Sequence, residues 1–187
     1  MASIIGVQTI QHTNGTDAMT IDSSGSIAMP NTVMWHMFRN TAAVTTNDTT
    51  ISSWEEPDDT MDAHRVGNYS MTHSSGEWTF PRTGVYSVRF HAAVDVVSSD
   101  DVVTVSLYGS TDSGSTFTDR LVLSTGGGYD TTTDRHTLSG EALVNITNTS
   151  THQVRLYVES LGSGSSVLGN TDDSRTYIIF QYLAPST

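Results

Sequence analysis

The clearest strand pattern in the chain is Phe80-Pro81-Arg82-Thr83-Gly84-Val85-Tyr86-Ser87-Val88-Arg89-Phe90. It opens with turn-forming residues and continues as a strict alternation, in which Tyr86, Val88 and Phe90 are spaced two apart. Because successive side chains of a strand point to opposite faces, these three share one face. The stretch therefore predicts a β-strand with one buried side and one polar side.

The same alternation recurs in residues 103–107 and 154–158, whereas no window sustains the spacing of an amphipathic helix. Short runs rich in Thr, Val and aromatic residues alternate with Gly, Asn, Asp and Ser turns. We predict strands near residues 33–39, 69–73, 77–80, 84–97, 102–109, 117–124, 137–147, 152–160 and 175–184. This number and spacing predict an all-β protein, with antiparallel strands in a sandwich or jelly roll.

The first 30 residues have a different pattern, with three short strands predicted at 9–13, 18–22 and 26–29. Asn14-Gly15 between the first two is a strong hairpin signal. The segment has too few large apolar residues to form a core alone, so we expect residues 1–30 to attach a head domain of residues 31–187 to something else. The predicted assembly contacts are its apolar residues: Ile4, Ile5, Val7, Ile10, Met19, Ile21, Ile27 and Met29.

The charge balance excludes several classes of partner. The chain of 187 residues has 20 Asp and Glu against 8 basic residues, all of them Arg, for a formal charge of −12. An acidic surface of this kind does not neutralise phosphates, so we expect no nucleic-acid or membrane partner. The absence of cysteine excludes a disulfide framework and a thiol nucleophile. The N-terminal sequence lacks the basic start and apolar run of a signal peptide.

Catalysis is not expected from this sequence. Seven histidines and many carboxylates are present, but the G-x-S-x-G, H-E-x-x-H, Walker and dinucleotide-binding patterns are all missing. We therefore predict that the protein is not an enzyme and has no organic cofactor.

Two groups of residues have the chemistry of a metal site, and both also fit ordinary surface turns. Asp62 with His64, and Asp134 with His136, are spaced so that a strand would place both side chains on one side, as a transition-metal site requires. Three aspartate pairs could supply oxygen ligands to Ca²⁺, although none has EF-hand spacing: Asp58-Asp59, Asp100-Asp101 and Asp172-Asp173. Surface turns are the favoured interpretation of all five, and Ca²⁺ is the one cofactor left open.

The tryptophans and three arginines have positions that suggest roles. Trp78 alternates with Phe80 and is predicted in the core, while Trp35 lies in an apolar strand expected at a core or subunit axis. Trp54 lies in the polar loop of residues 41–59, called the acidic loop for its cluster Glu55-Glu56-Pro57-Asp58-Asp59. It is the tryptophan expected to be exposed, where it could stack on a glycan. The strand residues Arg39, Arg89 and Arg155 suit either buried or interfacial ion pairs or a solvated face, and the sequence does not decide between these.

Several of these segments resemble one known family. Residues 80–90 resemble the F-x-x-x-G-x-Y-x-V-x-F strand of C1q/TNF-like heads, and residues 139–144, 153–158 and 177–183 resemble later strands of that family. The connection at residues 148–152 departs from the usual Gly-Asp pair. The resemblance spans about residues 33–184 and implies a jelly roll that assembles as a homotrimer.

The N-terminal residues 11–25 resemble a stretch common in bacteriophage virion structural proteins. The two resemblances together imply a trimeric capsid decoration (cement) protein, anchored to the major capsid protein or another virion protein by its N-terminal segment. It would be assembled in the host bacterial cytoplasm and located on the virion. The alternative is a tail-fibre or head-fibre tip that binds a host glycan through Trp54. A secreted bacterial C1q-like protein is disfavoured by the missing signal peptide.

Overall fold

The computed structural model describes residues 9–11, 17–21, 23–25, 27–28, 33–58, 63–97, 100, 102–126 and 133–187. Within these ranges the regular structure consists of strands only. No helix in the described part of the chain is long and apolar enough to cross a membrane.

The N-terminal strands form a small sheet of their own. This antiparallel sheet has the order β1-β2-β3 and consists of β1 (Thr9–Gln11), β2 (Asp17–Ile21) and β3 (Ile27–Ala28). The side chains of Ile10 and Ile27 are 48% and 60% exposed. The Asn14-Gly15 turn, and the predicted contacts Ile4, Ile5, Val7 and Met29, lie outside the described residues. The division at residue 30 stays a prediction.

The head contains two larger sheets. One has seven strands: β4 (Trp35–Asn40), β6 (Trp54–Glu55), β7 (Arg65–Val66), β10 (Gly84–Val96), β13 (Asp134–Ile146), β15 (Ser166–Val167) and β16 (Tyr177–Ala184). The other has six: β5 (Thr49–Thr50), β8 (Thr72–Ser74), β9 (Glu77–Thr79), β11 (Val102–Ser110), β12 (Thr118–Gly126) and β14 (Gln153–Glu159). All of the strand pairs are antiparallel.

The order of strands in each sheet is not their order in the chain. The seven-stranded sheet runs β13-β10-β16-β4-β6, with β15 beside β10 and β7 beside β4. The six-stranded sheet runs β12-β11-β14-β9-β8, with β5 beside β14. Neighbouring strands that are distant in sequence fit the jelly-roll architecture predicted from the spacing of the strands.

The core lies between the two sheets. Tyr86, Val88 and Phe90 of β10 point into it and are almost completely buried, as their alternation predicts. The six-stranded sheet contributes Trp78, whose ring contacts Phe180 at a centroid distance of 5.5 Å. The predicted core position of Trp78 is therefore confirmed.

Packing at the start of β10 requires a glycine at position 84. A Cβ atom at this position would lie 2.7 Å from the carbonyl oxygen of Ala184 and would also meet the ring of Tyr182. The turn before β10 is held by Arg82, whose guanidinium lies 3.4 Å from the Tyr182 ring centroid and whose carbonyl accepts a hydrogen bond from the Tyr86 hydroxyl at 2.9 Å. Burial raises the pKa of Tyr86 to about 12. Glycine thus allows the end of β16 to approach the start of β10 closely.

The nine predicted head strands are all present, with ends that differ by a few residues. The sequence did not predict β5, β6, β7 and β15, because each has only two residues and cannot show alternation.

Candidate functional site

The outward side of the seven-stranded sheet is the most distinctive surface of the head. The register of β13, β10, β16 and β4 aligns outward side chains in three rows, since their sequence neighbours fill the core. The rows are Leu143, Ser87, Gln181 and Trp35; Glu141, Arg89, Ile179 and Met37; and Ser139, His91, Tyr177 and Arg39. We call these residues the β16 face.

Large apolar groups are prominent on the β16 face. Trp35, Met37 and Ile179 are partly exposed, and Leu143 is 65% exposed. Two further exposed apolar residues are Val33, two residues before Trp35, and Leu183, two residues after Gln181. On an acidic chain, neighbouring apolar groups such as Trp35, Met37 and Ile179 are typical of a surface that contacts another molecule. The sequence placed Trp35 at a core or subunit axis, and it lies on this outward face.

Arg89 occupies the centre of the β16 face. Its Nη2 donates a 3.3 Å hydrogen bond to Oε1 of Gln181, while its Nε is buried and has no hydrogen-bond partner among the described residues. It lines a shallow cleft of about 320 Å³ with Glu141 and Ile179. A buried donor without an acceptor typically costs about 1–3 kcal/mol, so an acceptor from a partner molecule would be favourable here.

His91 and Tyr177 form a flat aromatic step beside this cleft. Their rings are stacked, with centroids 5.1 Å apart and planes inclined by 10°. Burial lowers the pKa of His91, so the neutral imidazole is favoured near pH 7. The uncharged ring pair adds to the apolar character of the face.

A buried charge network fixes one border of the β16 face. Arg39 is 1% exposed, and its Nε lies 2.7 Å from Oε1 of Glu55, while Nη2 contacts Asp58. The buried ion-pair interpretation is therefore confirmed for Arg39. The acidic loop, which the sequence suggested as an exposed binding loop, supplies the counter-charges.

His36 joins the same loop from the inward side of β4. The backbone N–H of Met71 donates to Nδ1 of His36 at 3.0 Å, so the ring proton is on Nε2, which donates to Glu56 at 2.8 Å. The other oxygen of Glu56 lies 2.9 Å from Nε2 of His64. The pKa of His36 is lowered, mainly by burial, with Glu56 acting in the opposite direction.

The predicted exposure of Trp54 is wrong. Trp54 is 8% exposed, its Nε1 donates to the carbonyl of Ile51 at 2.6 Å, and its ring meets Trp78 edge-on with centroids 4.9 Å apart. The polar residues around it in the sequence hide this inward position. The ring has no free face for a stacked sugar.

Several of the predicted metal ligands have other partners, although Nε2 of His136 is buried and has no hydrogen-bond partner among the described residues. Asp100 is buried and accepts a 2.7 Å hydrogen bond from the backbone of Gly162, and Asp173 pairs with Arg175 at 2.8 Å. In the described ranges, no three His, Cys, Asp or Glu side chains are grouped so as to hold a metal ion. Asp59, Asp62 and Asp101 lie outside those ranges. The Ca²⁺ alternative stays a hypothesis.

The outward side of the six-stranded sheet has exposed Val102 and Val122 on β11 and β12, but elsewhere its polar groups bond to one another. The Oε2 and Oε1 atoms of Glu159 accept hydrogen bonds from Ser106 at 3.1 Å and Tyr108 at 2.6 Å. The Arg155 guanidinium lies 3.8 Å from the ring centroid of Phe117, and its Nη1 is 3.4 Å from Oε1 of Glu77. Arg155 thus forms an ion pair with Glu77 on a partly exposed face, whereas Arg89 bonds to the side-chain amide of Gln181.

Comparison with solved structures identifies the fold. Eiger TNF from S. frugiperda matches with a TM-score of 0.60 and 14% identity, covering 83% of this chain and 95% of that one. Murine APRIL at pH 5.0 matches with a TM-score of 0.59 and 8% identity, covering 81% and 99%. No protein-family model and no curated protein matches the sequence.

These likenesses confirm the predicted all-β, C1q/TNF-like jelly roll. At such low identity they show the fold alone. Neither neighbour points to a bacteriophage virion, so that part of the expectation is not supported by the comparisons.

Proposed function

We propose that the chain is a non-catalytic structural protein whose head assembles as a homotrimer through the β16 face. The observation that carries this proposal is the apolar surface formed by Trp35, Met37 and Ile179 on the outward side of β4 and β16. Next to it lies Arg89, whose buried Nε has no hydrogen-bond partner among the described residues. Three copies around a threefold axis would bury these apolar groups together, and a closed symmetric assembly leaves no copy of the patch exposed.

We further propose that residues 1–30 attach the trimer to a larger particle, specifically as a decoration protein on a virion capsid. The separate β1–β3 sheet supports an attachment role, because Ile10 and Ile27 are exposed and strands this short do not form a stable core. Three attachment segments on one trimer would bind a repeating shell with increased avidity. The partner would be the major capsid protein or another virion protein.

The fibre-tip alternative loses its contact residue, because Trp54 is buried in the head. No described feature of the acidic loop replaces it, since Glu55, Glu56 and Asp58 bond to groups on β4 and to His64.

Two measurements test the proposal separately. Light scattering should give the mass of three chains both for the full protein and for a variant lacking residues 1–29, because the β16 face lies in the head. A stable monomer or dimer would contradict the trimer. Particles that lack the protein should bind the full chain in a sedimentation assay but not the shortened variant. Retention of the shortened trimer on the particles would contradict the attachment role. Equal heat resistance of particles with and without the protein would contradict the decoration role.

A further inference from the structure

A second cleft lies at an open end of the sandwich, away from the centre of the β16 face. It has a volume of about 260 Å³ and is lined from both sheets. Gly109 and Val154 come from the six-stranded sheet, and Val144 and Ile146 from the seven-stranded sheet. Arg120, Asn145 and His152 add polar groups to this apolar floor. Such a mixture is typical of small-molecule sites, and the volume suits a ligand of about one sugar ring.

The position of Arg120 depends on a β-bulge. Leu107 pairs with Leu121 and Tyr108 pairs with Asp119, so Arg120 is the extra residue of β12. A bulge turns a side chain out of its regular direction, and bulges of this kind are common at binding sites. The bulge leaves Arg120 free to lie across the neighbouring strand.

Gly109 provides the space for this side chain. A Cβ at Gly109 would lie 2.7 Å from Nε of Arg120 and 3.1 Å from its Cγ. Because the regular alternation of β11 places Leu107 in the core, position 109 also faces inward. The Arg120 side chain therefore extends along the inward side of the strand, where the cleft opens.

The charge of the cleft is opposite to the charge of the chain. The formal charge is −12, yet the lining residues include an arginine and no carboxylate. The nearby Asp112 is already bonded to Ser110 at 2.7 Å and to the Thr116 hydroxyl at 2.6 Å. Asp119 interacts with Tyr108 on the outward side of the sheet. Arg120 thus presents a cation to a cleft that supplies no counter-ion of its own, and guanidinium groups bind carboxylates well.

Two hydrogen-bonded polar side chains, Asn145 and His152, line the cleft together with Arg120. Nδ2 of Asn145 donates to the carbonyl oxygen of Thr187 at 2.9 Å, and the two ring nitrogens of His152 lie 3.3 Å and 3.1 Å from the hydroxyls of Thr147 and Thr151. These contacts orient the two side chains at the cleft. Bonds of this kind can be shared or exchanged with the hydroxyls of a bound sugar.

We propose that this cleft binds a carboxylate-bearing monosaccharide unit of the uronic acid type. Arg120 binds the carboxylate, Asn145 and His152 contact the ring hydroxyls, and Val144 and Val154 contact the apolar side of the ring. The site does not depend on the trimer or on particle attachment, because every group that carries the argument belongs to one head.

The test compares D-glucuronate with D-glucose, which differ in the carboxylate that Arg120 is proposed to bind. In an NMR titration of the full protein, glucuronate should shift the backbone amide signals of residues 109–111, 143–146 and 152–154, and glucose at the same concentration should not. Higher salt should weaken the effect, because the contact is ionic. Absence of shifts with glucuronate, or equal shifts with both sugars, would overturn the proposal.

Three variants locate the binding group. Arg120→Gln should weaken glucuronate binding by about tenfold or more, the loss expected for one charge-assisted hydrogen bond. Gly109→Ala should also weaken binding, because its methyl group displaces the Arg120 side chain. Arg175→Gln makes the same change of charge at an exposed arginine paired with Asp173 and should bind as the parent does. Equal losses in Arg120→Gln and Arg175→Gln would show a non-specific charge effect and would overturn the assignment.

Discussion

The outward sides of the two sheets differ in a way that their strand patterns do not show. Both sheets alternate and both bury one side in the common core. On the six-stranded sheet, outward hydroxyls and charges bond to one another, as Thr104 does with Ser124 at 2.8 Å and Tyr108 with Glu159 at 2.6 Å. On the seven-stranded sheet, the β16 face places the large apolar side chains of Trp35, Met37 and Ile179 beside one another in partly exposed positions. Each sheet has an outward arginine, Arg89 or Arg155, whose buried Nε has no hydrogen-bond partner among the described residues, so these apolar groups are what distinguishes the two faces.

The contrast between the two outward sides distinguishes a solvent-facing sheet from a contact surface. A face that meets water can still satisfy its polar groups locally, and the hydrogen bond to Glu159 raises the pKa of Tyr108 above its ordinary value. A face that contacts a partner instead keeps large apolar side chains at its surface in the isolated chain. The first two predictions below compare a change in one sheet with a matched change in the other, and the third concerns a histidine of the seven-stranded sheet.

The largest effect is expected from a charge placed on the β16 face. Ile179→Asp should convert the proposed trimer into monomers, because it puts a carboxylate at the centre of a buried apolar contact. Thr72→Asp places the same carboxylate on an exposed position of the six-stranded sheet and should leave the mass unchanged. Light scattering combined with size-exclusion chromatography measures both. A trimer that survives Ile179→Asp would show that the contact lies elsewhere.

A smaller effect is expected from removing one arginine of each sheet. Arg39→Met should lower the free energy of unfolding by about 2–3 kcal/mol, because the guanidinium of Arg39 is almost completely buried and methionine replaces neither its contact with Glu55 nor its contact with Asp58. Arg155→Met should cost about 1 kcal/mol, since this side chain is partly exposed and its carboxylate partner can be hydrated. Urea denaturation at equal protein concentration gives both values. Losses of the same size would contradict the different burial of the two arginines.

The smallest effect concerns pH and His36. Its folded-state pKa is lowered below the unfolded value of about 6.5, so the unfolded state binds the proton more readily. The stability associated with neutral His36 is complete above about pH 6.5 and decreases as the pH falls through that value towards the folded-state pKa. His36→Gln should reduce this dependence in denaturation curves between about pH 7.5 and pH 5. An unchanged slope would show that other groups, such as His73 on β8, account for it.

The sequence predicted the fold better than the surface. The stretch around Gly84 and the alternation in β11 and β14 were sufficient for the sandwich, because one buried side imposes a period of two. The reason for Gly84 was not predictable, since Tyr182 and Ala184 approach it from the far end of the chain. Long-range packing of this kind leaves no local pattern.

The acidic loop shows the same limit for the candidate site. Trp54 among Glu55, Glu56 and Asp58 looks exposed in sequence, but these carboxylates contact Arg39 and His36 of β4, sixteen to twenty residues away. The complementary signal was present, because Arg39 and His36 stood in a strand with no local counter-charge. Only the pairing of β4 with β6 joins the two segments.

The position of β16 has a consequence for how the head is made. This strand lies between β10 and β4 in the seven-stranded sheet, yet it follows all the other strands of that sheet in the chain. During synthesis from the N-terminus, β4 must wait for a neighbour that is translated about 140 residues later. Until the ribosome has made β16, the backbone edges of β4 and β10 that pair with it remain open to chaperones and to the equivalent strands of other nascent chains. Folding dominated by such distant contacts is slow.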